Sequence, residues 1–134
     1  MLGELIGESH GKRAPRRVLE TGPGSFKVEV SFEDSGKIFG HDFGQFVTYT
    51  AEPRPDGTLY GEGHGVVVLH NGEAATWKGA GVGTLKAGGA VSYRGAVFYY
   101  STSPTLARLN NVAAIFEFEV DPAGNTHTRS WEWK

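Results

Sequence analysis

Apolar residues at every second position are the feature of this sequence that most restricts its fold. The segments Phe26–Phe32 and Val112–Val120 both alternate apolar and polar residues. Successive side chains of a β-strand point to opposite faces, so this period predicts strands with one buried face and one solvent-facing face. No long segment shows the 3.6-residue spacing of an amphipathic helix, and Ser103–Asn111 has room for one helical turn at most. We therefore predict an all-β protein.

Turn sequences rich in glycine, proline, asparagine and aspartate separate the alternating segments. Asn71-Gly72 is the strongest of them, because a two-residue type I′ hairpin turn needs positive φ at both central positions. A further short strand is expected near Leu2–Ile6. The main predicted strands are Arg16–Glu20, Ser25–Glu33, Phe43–Glu52, Leu59–His70, Glu73–Lys86, Ala90–Tyr100, Asn111–Val120 and Thr126–Lys134.

About eight consecutive strands can form a sandwich or a closed barrel, and we favour a single closed antiparallel β-barrel. Several strands are long, and the last one runs to the final residue, as expected of a strand that closes against an early one. Closure also removes exposed strand edges. A length of 134 residues fits one domain, residues 1–134. An eight-stranded barrel has an interior that side chains fill or that holds one small ligand.

The composition excludes several classes of protein. A net charge of -2 argues against nucleic-acid binding. The absence of cysteine excludes disulfides, thiol catalysis and cysteine-ligated metal centres. No apolar run approaches the roughly 18 residues of a membrane helix, and Met1–His10 has no signal-peptide pattern. We expect a soluble, cytoplasmic protein without a membrane or nucleic-acid partner.

Each strand of the hairpin Leu59–Lys86 contains a run of three glycines at alternate positions, Gly61, Gly63 and Gly65 on the first strand and Gly79, Gly81 and Gly83 on the second. Directly opposed residues share a face of the sheet. A two-residue turn at Asn71-Gly72 would pair Tyr60 with Gly83, Glu62 with Gly81, His64 with Gly79 and Val66 with Trp77. The other face would then carry Gly61, Gly63 and Gly65 with Ala74 and Ala80.

Two interpretations of these glycines remain open at this point. They can relieve the bending of strongly tilted barrel strands. Alternatively, Gly79, Gly81 and Gly83 clear room inside the barrel for a ligand beside the polar residues that they oppose. A one-residue slip in register would exchange the two faces of the hairpin.

The layout of Phe43–Tyr100 resembles the small bacterial barrels related to allene oxide cyclase. The resemblance rests on long glycine-rich strands, the turn Leu69-His70-Asn71-Gly72, the alternating glycines of Thr76–Thr84 and the turn Gly88-Gly89. It implies a calycin-like barrel of eight antiparallel strands with a central cavity, often in an oligomer. In the plant cyclases the cavity holds a lipid-derived epoxide, and catalysis needs no cofactor. No catalytic motif of that family is matched residue by residue.

Glu62, His64 and Tyr60 are the candidate catalytic residues. Glu62 and His64 are two residues apart on one strand, so their side chains project the same way at a spacing of roughly 6–7 Å. A carboxylate, an imidazole and a phenol inside an apolar barrel could perform general acid–base chemistry. Arg94 and Arg108 are candidate cations for Glu62 or for a ligand carboxylate. The alternative is that these side chains belong to a solvated outer face.

We predict a cavity barrel that binds a small, largely apolar molecule. A cofactor-free isomerase or cyclase using Glu62 and His64 is the first alternative, and a structural or interaction barrel with a solid core is the second. The predicted ligand-binding residues are Tyr60, Glu62, His64, Trp77, Gly79, Gly81, Arg94 and Arg108.

Neither a cofactor nor a metal site is expected. His41-Asp42, His64 and His127 could converge, but the sequence has no His-x-His pair.

A flat strip of outward glycines, together with aromatic residues left outside by alternation, predicts a homo-oligomer, either a dimer or a trimer.

Overall fold

The computed structural model describes residues 2–134, of which strands form the largest part. Two short 3-10 turns, Ala87–Gly89 and Ala107–Asn111, lie between strands. Within residues 2–134 no helix has the length and apolar character needed to cross a bilayer. The strands are β1 (Leu2–Arg13), β2 (Arg17–Gly22), β3 (Ser25–Ile38), β4 (His41–Pro53), β5 (Leu59–Leu69), β6 (Ala74–Leu85), β7 (Val91–Tyr100), β8 (Ala113–Val120) and β9 (Asn125–Trp133).

Eight of the strands close into an antiparallel barrel, which confirms the predicted fold class. From β3 to β9 each strand pairs with the next, while β1 pairs with β9 on one side and with the second half of β3 on the other. The remaining strand, β2, pairs with the first half of β3 as an outer strand. All pairings are antiparallel, and the barrel is closed because β1 pairs with both β9 and β3.

The first and third strands are longer than predicted. β1 is a full barrel strand of 12 residues that extends beyond the short strand expected near Leu2–Ile6 and includes His10. β3 continues to Ile38 through the polar run Glu33–Gly36. Close approach of β1 explains the glycine in this run, because a Cβ at Gly36 would overlap the backbone of Glu8.

The β5–β6 turn has three residues, so the predicted two-residue turn was wrong. Gly72 N–H donates to the Leu69 carbonyl at 2.9 Å, and Leu69 N–H donates to the Glu73 carbonyl at 2.8 Å. Gly72 has a φ of 89°. A turn followed by one left-handed residue is the common three-residue hairpin loop. It shifts the pairing by one residue relative to the prediction.

The shift turns the opposite face of β5 towards the barrel interior, while β6 keeps the inward face that was predicted for it. Gly61 opposes Gly81 and Gly63 opposes Gly79, and all four face the barrel interior. Gly61, Gly63 and Gly65, which were predicted to lie on the outer face, therefore line the interior, and the predicted outer strip of glycines no longer supports a homo-oligomer. The outer face of the barrel instead exposes large apolar side chains, among them Phe46, Phe98 and Tyr100.

We predict that Gly72→Ala destabilises the barrel by about 1–2 kcal/mol. The cost is conformational, because no atom lies within 4 Å of the added Cβ and an L-residue at positive φ is strained. Urea unfolding measures the difference. Gly44→Ala is the matched control, since its backbone φ is ordinary and the nearest atom to the new Cβ is 3.7 Å away. Equal stability of the two variants would contradict the loop conformation.

The barrel interior contains two apolar clusters. One includes Ile38 and Phe43 and is covered by Leu106 and Leu109, which are fully buried in the segment before β8. The other is built around Phe32, Tyr93 and Phe118. Trp77 and Phe116 pack against both clusters. The space between the clusters is where the interior remains incompletely filled.

Candidate ligand-binding cavity

A cavity of about 80 Å³ lies inside the barrel between the two apolar clusters. A single water needs about 10–15 Å³ measured in this way, so the space exceeds a solvation site. Aromatic and aliphatic side chains form most of the lining, which is typical of small-molecule sites. The lining side chains include Phe32, Gln45, Val47, Tyr49, Trp77, Tyr93, Val97, Tyr99, Phe116, Phe118, Thr128 and Ser130.

Bare backbone forms one side of the cavity. Gly61, Gly63, Gly79 and Gly81, which we call the glycine wall, are paired across β5 and β6 and line the space. A Cβ added at Gly81 would come within 3.0 Å of the Phe116 ring. The absence of side chains on this wall therefore keeps room for the opposing rings and for the cavity.

Aromatic rings form the opposite side of the cavity. Phe32 stacks on Phe118 with ring centroids 4.9 Å apart, and Tyr49 meets Tyr93 edge to face at 5.8 Å. Burial raises the pKa of Tyr93 to about 12 and raises the pKa of Tyr49 as well. Both phenols are neutral at physiological pH, and both residues line the cavity.

A chain of hydrogen bonds links the cavity to a buried carboxyl group. Trp77 Nε1 donates to Gln45 Oε1 at 3.1 Å, and Gln45 Nε2 donates to Asp34 Oδ2 at 3.3 Å. Ser9 Oγ donates to the same Asp34 oxygen at 2.7 Å. Asp34 is only 7% exposed, and burial raises the pKa of its carboxyl group against the opposing effect of these hydrogen bonds.

Buried polar atoms without a partner in the protein cluster beside this chain. Among the described residues they are Asp34 Oδ1, Thr126 Oγ1 and Thr128 Oγ1. Gly11 of β1 is paired with both Asp34 and Thr126. An unsatisfied buried polar group costs about 1–3 kcal/mol, and of these three oxygens only Thr128 Oγ1 belongs to a residue that lines the cavity.

Polar side chains are shared between the main cavity and a smaller neighbouring one of about 30 Å³. Gln45, Tyr99, Thr128 and Ser130 line both spaces. Thr126, the neighbouring inward threonine of β9, lines neither of them. The cavity is therefore apolar over most of its surface and polar at one junction.

The structure places the predicted catalytic group outside the barrel. Glu62 and His64 are exposed, and the Tyr60 hydroxyl donates to Glu62 Oε1 at 2.8 Å on the outer face. Their predicted inward orientation was wrong because the three-residue turn at Gly72 shifts the register by one. Glu62 borders the cavity only through its position between inward glycines, since its side chain points away.

Arg94 and Arg108 do not reach the cavity either. The Arg94 side chain is half exposed and pairs with Glu117 and Glu119 at 3.6 and 3.0 Å. Arg108 lies over the Phe39 ring at 4.1 Å, near the covered end of the barrel. The inward orientation considered for both arginines was wrong, whereas Trp77, Gly79 and Gly81 do line the cavity.

Sequence reasoning missed the interior polar residues Asp34, Gln45, Thr128 and Ser130. The alternation of Phe26–Phe32 continues to Asp34 with the same parity, which places this carboxyl group on the inner face. On the last strand, Thr128 and Ser130 occupy alternate positions and therefore share one face. The pattern was present in the sequence, but these polar residues were not considered as interior residues.

Comparisons with known proteins identify similar folds but no similar sequence family. No family model and no curated protein matched the sequence. A protein of unknown function from Clostridium acetobutylicum is similar over 96% of each chain, with a TM-score of 0.83 and 11% identity. A β-barrel-like protein from Acinetobacter baumannii is similar over 100% of this chain and 96% of its own chain, with a TM-score of 0.82 and 10% identity.

An enzyme from Penicillium herquei has a TM-score of 0.69 and 15% identity, with 96% of this chain and 92% of that chain covered. At these identities the likeness is one of fold alone. The chain is similar to solved antiparallel β-barrels of unknown function, and its interior site must be interpreted from its own residues.

Proposed function

We propose that the barrel binds a small, largely apolar molecule in the cavity between the glycine wall and the aromatic rings. The observation that carries this proposal is an apolar cavity with its polar groups gathered at one junction. In such a site the apolar lining supplies affinity, and a few polar groups fix the orientation of the ligand. Thr128, Gln45 and Ser130 would bind the polar group of the ligand.

The size of the cavity limits the ligand to about one ring. An apolar cavity of about 150 Å³ holds benzene, and this cavity has roughly half that volume. Admission of a ring therefore requires a small movement of the lining side chains. Phenol, a ring with one hydroxyl group, is a suitable probe, and benzene is the matched probe without the hydroxyl group.

Titration with phenol, followed by nuclear magnetic resonance, tests the proposal. The indole N–H resonance of Trp77 should shift with saturation, because Trp77 lines the cavity. Trp131 and Trp133 do not line it and should not shift. A shift of all three resonances, or of none, would contradict binding at this site.

Filling the cavity should abolish the phenol effect. Val47 is 4% exposed and lines the cavity, so Val47→Phe places a ring in the space at an overpacking cost of about 1–3 kcal/mol. Val66→Phe is the control, because Val66 lies on the outer face and does not line the cavity. Phenol binding retained in Val47→Phe would move the site elsewhere.

Two threonine variants separate ligand recognition from stability. Thr126→Val and Thr128→Val each remove a buried hydroxyl that lacks a partner, so both should stabilise the barrel by about 1 kcal/mol. Only Thr128→Val should weaken phenol binding relative to benzene, because only Thr128 lines the cavity. Equal loss of phenol affinity in the two variants would contradict the role of Thr128.

A cofactor-free isomerase or cyclase is the second candidate function, with Asp34 in place of Glu62 as the acid. The raised pKa of Asp34 favours this candidate, because a carboxyl group with a raised pKa keeps its proton to a higher pH, and Asp34 connects to the cavity through its hydrogen bond with Gln45. Membership of the allene oxide cyclase-like family is part of this proposal. The carboxyl ¹³C resonance of Asp34 should titrate above the ordinary aspartate pKa of about 3.9. Titration at or below that value would exclude Asp34 as the acid.

A homo-oligomer also remains a prediction. With the glycine wall inside, the support for it is the set of exposed apolar side chains on the outer face, such as Phe46, Phe98 and Tyr100.

A further inference from the structure

His10 and His127 face each other across the pairing that closes the barrel. They are direct partners in the β1–β9 ladder, where the first strand of the chain meets the last one. Their rings are nearly parallel, with an interplanar angle of 7° and centroids 4.2 Å apart. The side chains lie on the outer face, on the opposite side of the sheet from Ser9 and Thr128.

Glu8 completes a group of three side chains that can bind a metal ion. It is two residues before His10 and therefore projects from the same face of β1. Its Oε2 lies 2.5 Å from His127 Nε2. Among the described residues, Glu8, His10 and His127 can each offer one ligand atom, and these atoms lie within 4.8 Å of one another.

We propose that Glu8, His10 and His127 bind one divalent transition-metal ion of the Zn²⁺ class across the β1–β9 seam. Zinc bonds of about 2.0–2.2 Å in a tetrahedral arrangement place ligand atoms about 3.4 Å apart. The stacked imidazole rings have to turn towards each other to reach that spacing and to direct their lone pairs at one ion. Two imidazoles and one carboxylate favour zinc, copper or nickel over calcium or magnesium, and the fourth position is left for water.

Nearby cations already have their own carboxylate partners. Arg129, which opposes Glu8 in β9, pairs with Glu117 at 3.0 Å. Lys37, which opposes Glu8 in β3, pairs with Asp42 at 2.6 Å. Glu8 is therefore not committed to either of these cations.

An ion at this position would connect the first and last strands of the barrel. A metal that binds the folded chain more tightly than the unfolded chain stabilises the fold by linkage. The effect is independent of the interior cavity, because the three ligands lie on the outside of the sheet. Failure of the metal site would leave the proposed ligand cavity unaffected.

Calorimetric titration with Zn²⁺ alone, on protein first treated with a chelator and then dialysed, tests the proposal. We expect one Zn²⁺ per chain and a rise in the thermal unfolding midpoint with Zn²⁺ concentration. His10→Gln and His127→Gln should each weaken binding by at least about tenfold, the lower end of the effect of lost supporting groups at metal sites. His41→Gln, an exposed histidine outside the group, should bind Zn²⁺ like the wild type.

A second measurement on the wild-type protein keeps the test independent of the variants. Zn²⁺ should shift the imidazole resonances of His10 and His127 together at one equivalent, and those of His41 and His64 should stay in place. Absence of Zn²⁺ binding, tight binding retained in both glutamine variants, or shifts at other histidines only would overturn the proposal.

Discussion

Gly65→Val is expected to destabilise the barrel by about 3 kcal/mol or more. An added Cβ at Gly65 would lie 2.6 Å from Nε1 and Cε2 of Trp77. The indole cannot move freely, because its Nε1 donates to Gln45 and its ring packs against both interior clusters. Overpacking of a protein core costs about 1–3 kcal/mol, and displacement of the indole would also break the Trp77–Gln45 hydrogen bond.

This substitution also distinguishes the two possible registers of the hairpin. With a two-residue turn, Gly65 would face outward, and valine there would be tolerated and would favour the strand. Gly44→Val is the matched control, because the nearest atom to its Cβ is 3.7 Å away. Urea unfolding should show a large loss for Gly65→Val and a small change for Gly44→Val. Equal stability of the variants would contradict the register.

Asp34→Asn is expected to stabilise the barrel at pH 7 by about 1–3 kcal/mol. The Asp34 carboxyl group is buried without a cationic partner, and burial raises its pKa in the folded state. Asparagine keeps an oxygen that accepts from Ser9 and Gln45. It removes the charge that would otherwise be buried at neutral pH.

The pH dependence gives the sign of this effect. Because the pKa of Asp34 is raised in the folded state, its contribution to the free energy of unfolding is fully present below the unfolded-state pKa of about 3.9. This contribution is lost as pH rises through the folded-state pKa. The advantage of Asp34→Asn should therefore be small near pH 3 and should grow towards pH 7. Urea unfolding across this range measures it. An advantage that shrinks with rising pH, or a destabilised variant at pH 7, would contradict a raised pKa.

The strands themselves were largely predictable from the sequence. The alternation in Phe26–Phe32 and Val112–Val120 lies within the observed strands β3 and β8, apart from Val112, which directly precedes β8. The alternation of residues did not predict which face of β5 in the glycine hairpin points into the barrel. Asn71-Gly72 fits a two-residue turn and a three-residue loop equally well, yet the two loops pair opposite faces of β5 with the same inward face of β6.

The polar part of the site depends on long-range pairing. The polar run Glu33–Gly36 has the composition of a turn, and only the close approach of β1 makes it part of a barrel strand. Asp34 and Ser9 are 25 residues apart in the chain, and no local pattern predicts their hydrogen bond. Glu62 and His64 have side chains suited to acid–base chemistry but lie on the outer face, whereas Asp34, Gln45 and Thr128 lie on the inner face of the barrel.

The most direct test of the ligand-binding cavity is a crystal structure of the protein under xenon pressure. Xenon enters apolar cavities without needing a polar partner. The account predicts one xenon peak between the glycine wall and the rings of Trp77, Phe116 and Phe118, and no such peak in Val47→Phe. An interior filled by side chains, or xenon only in the outer groove beside Phe46 and Val66, would contradict the account.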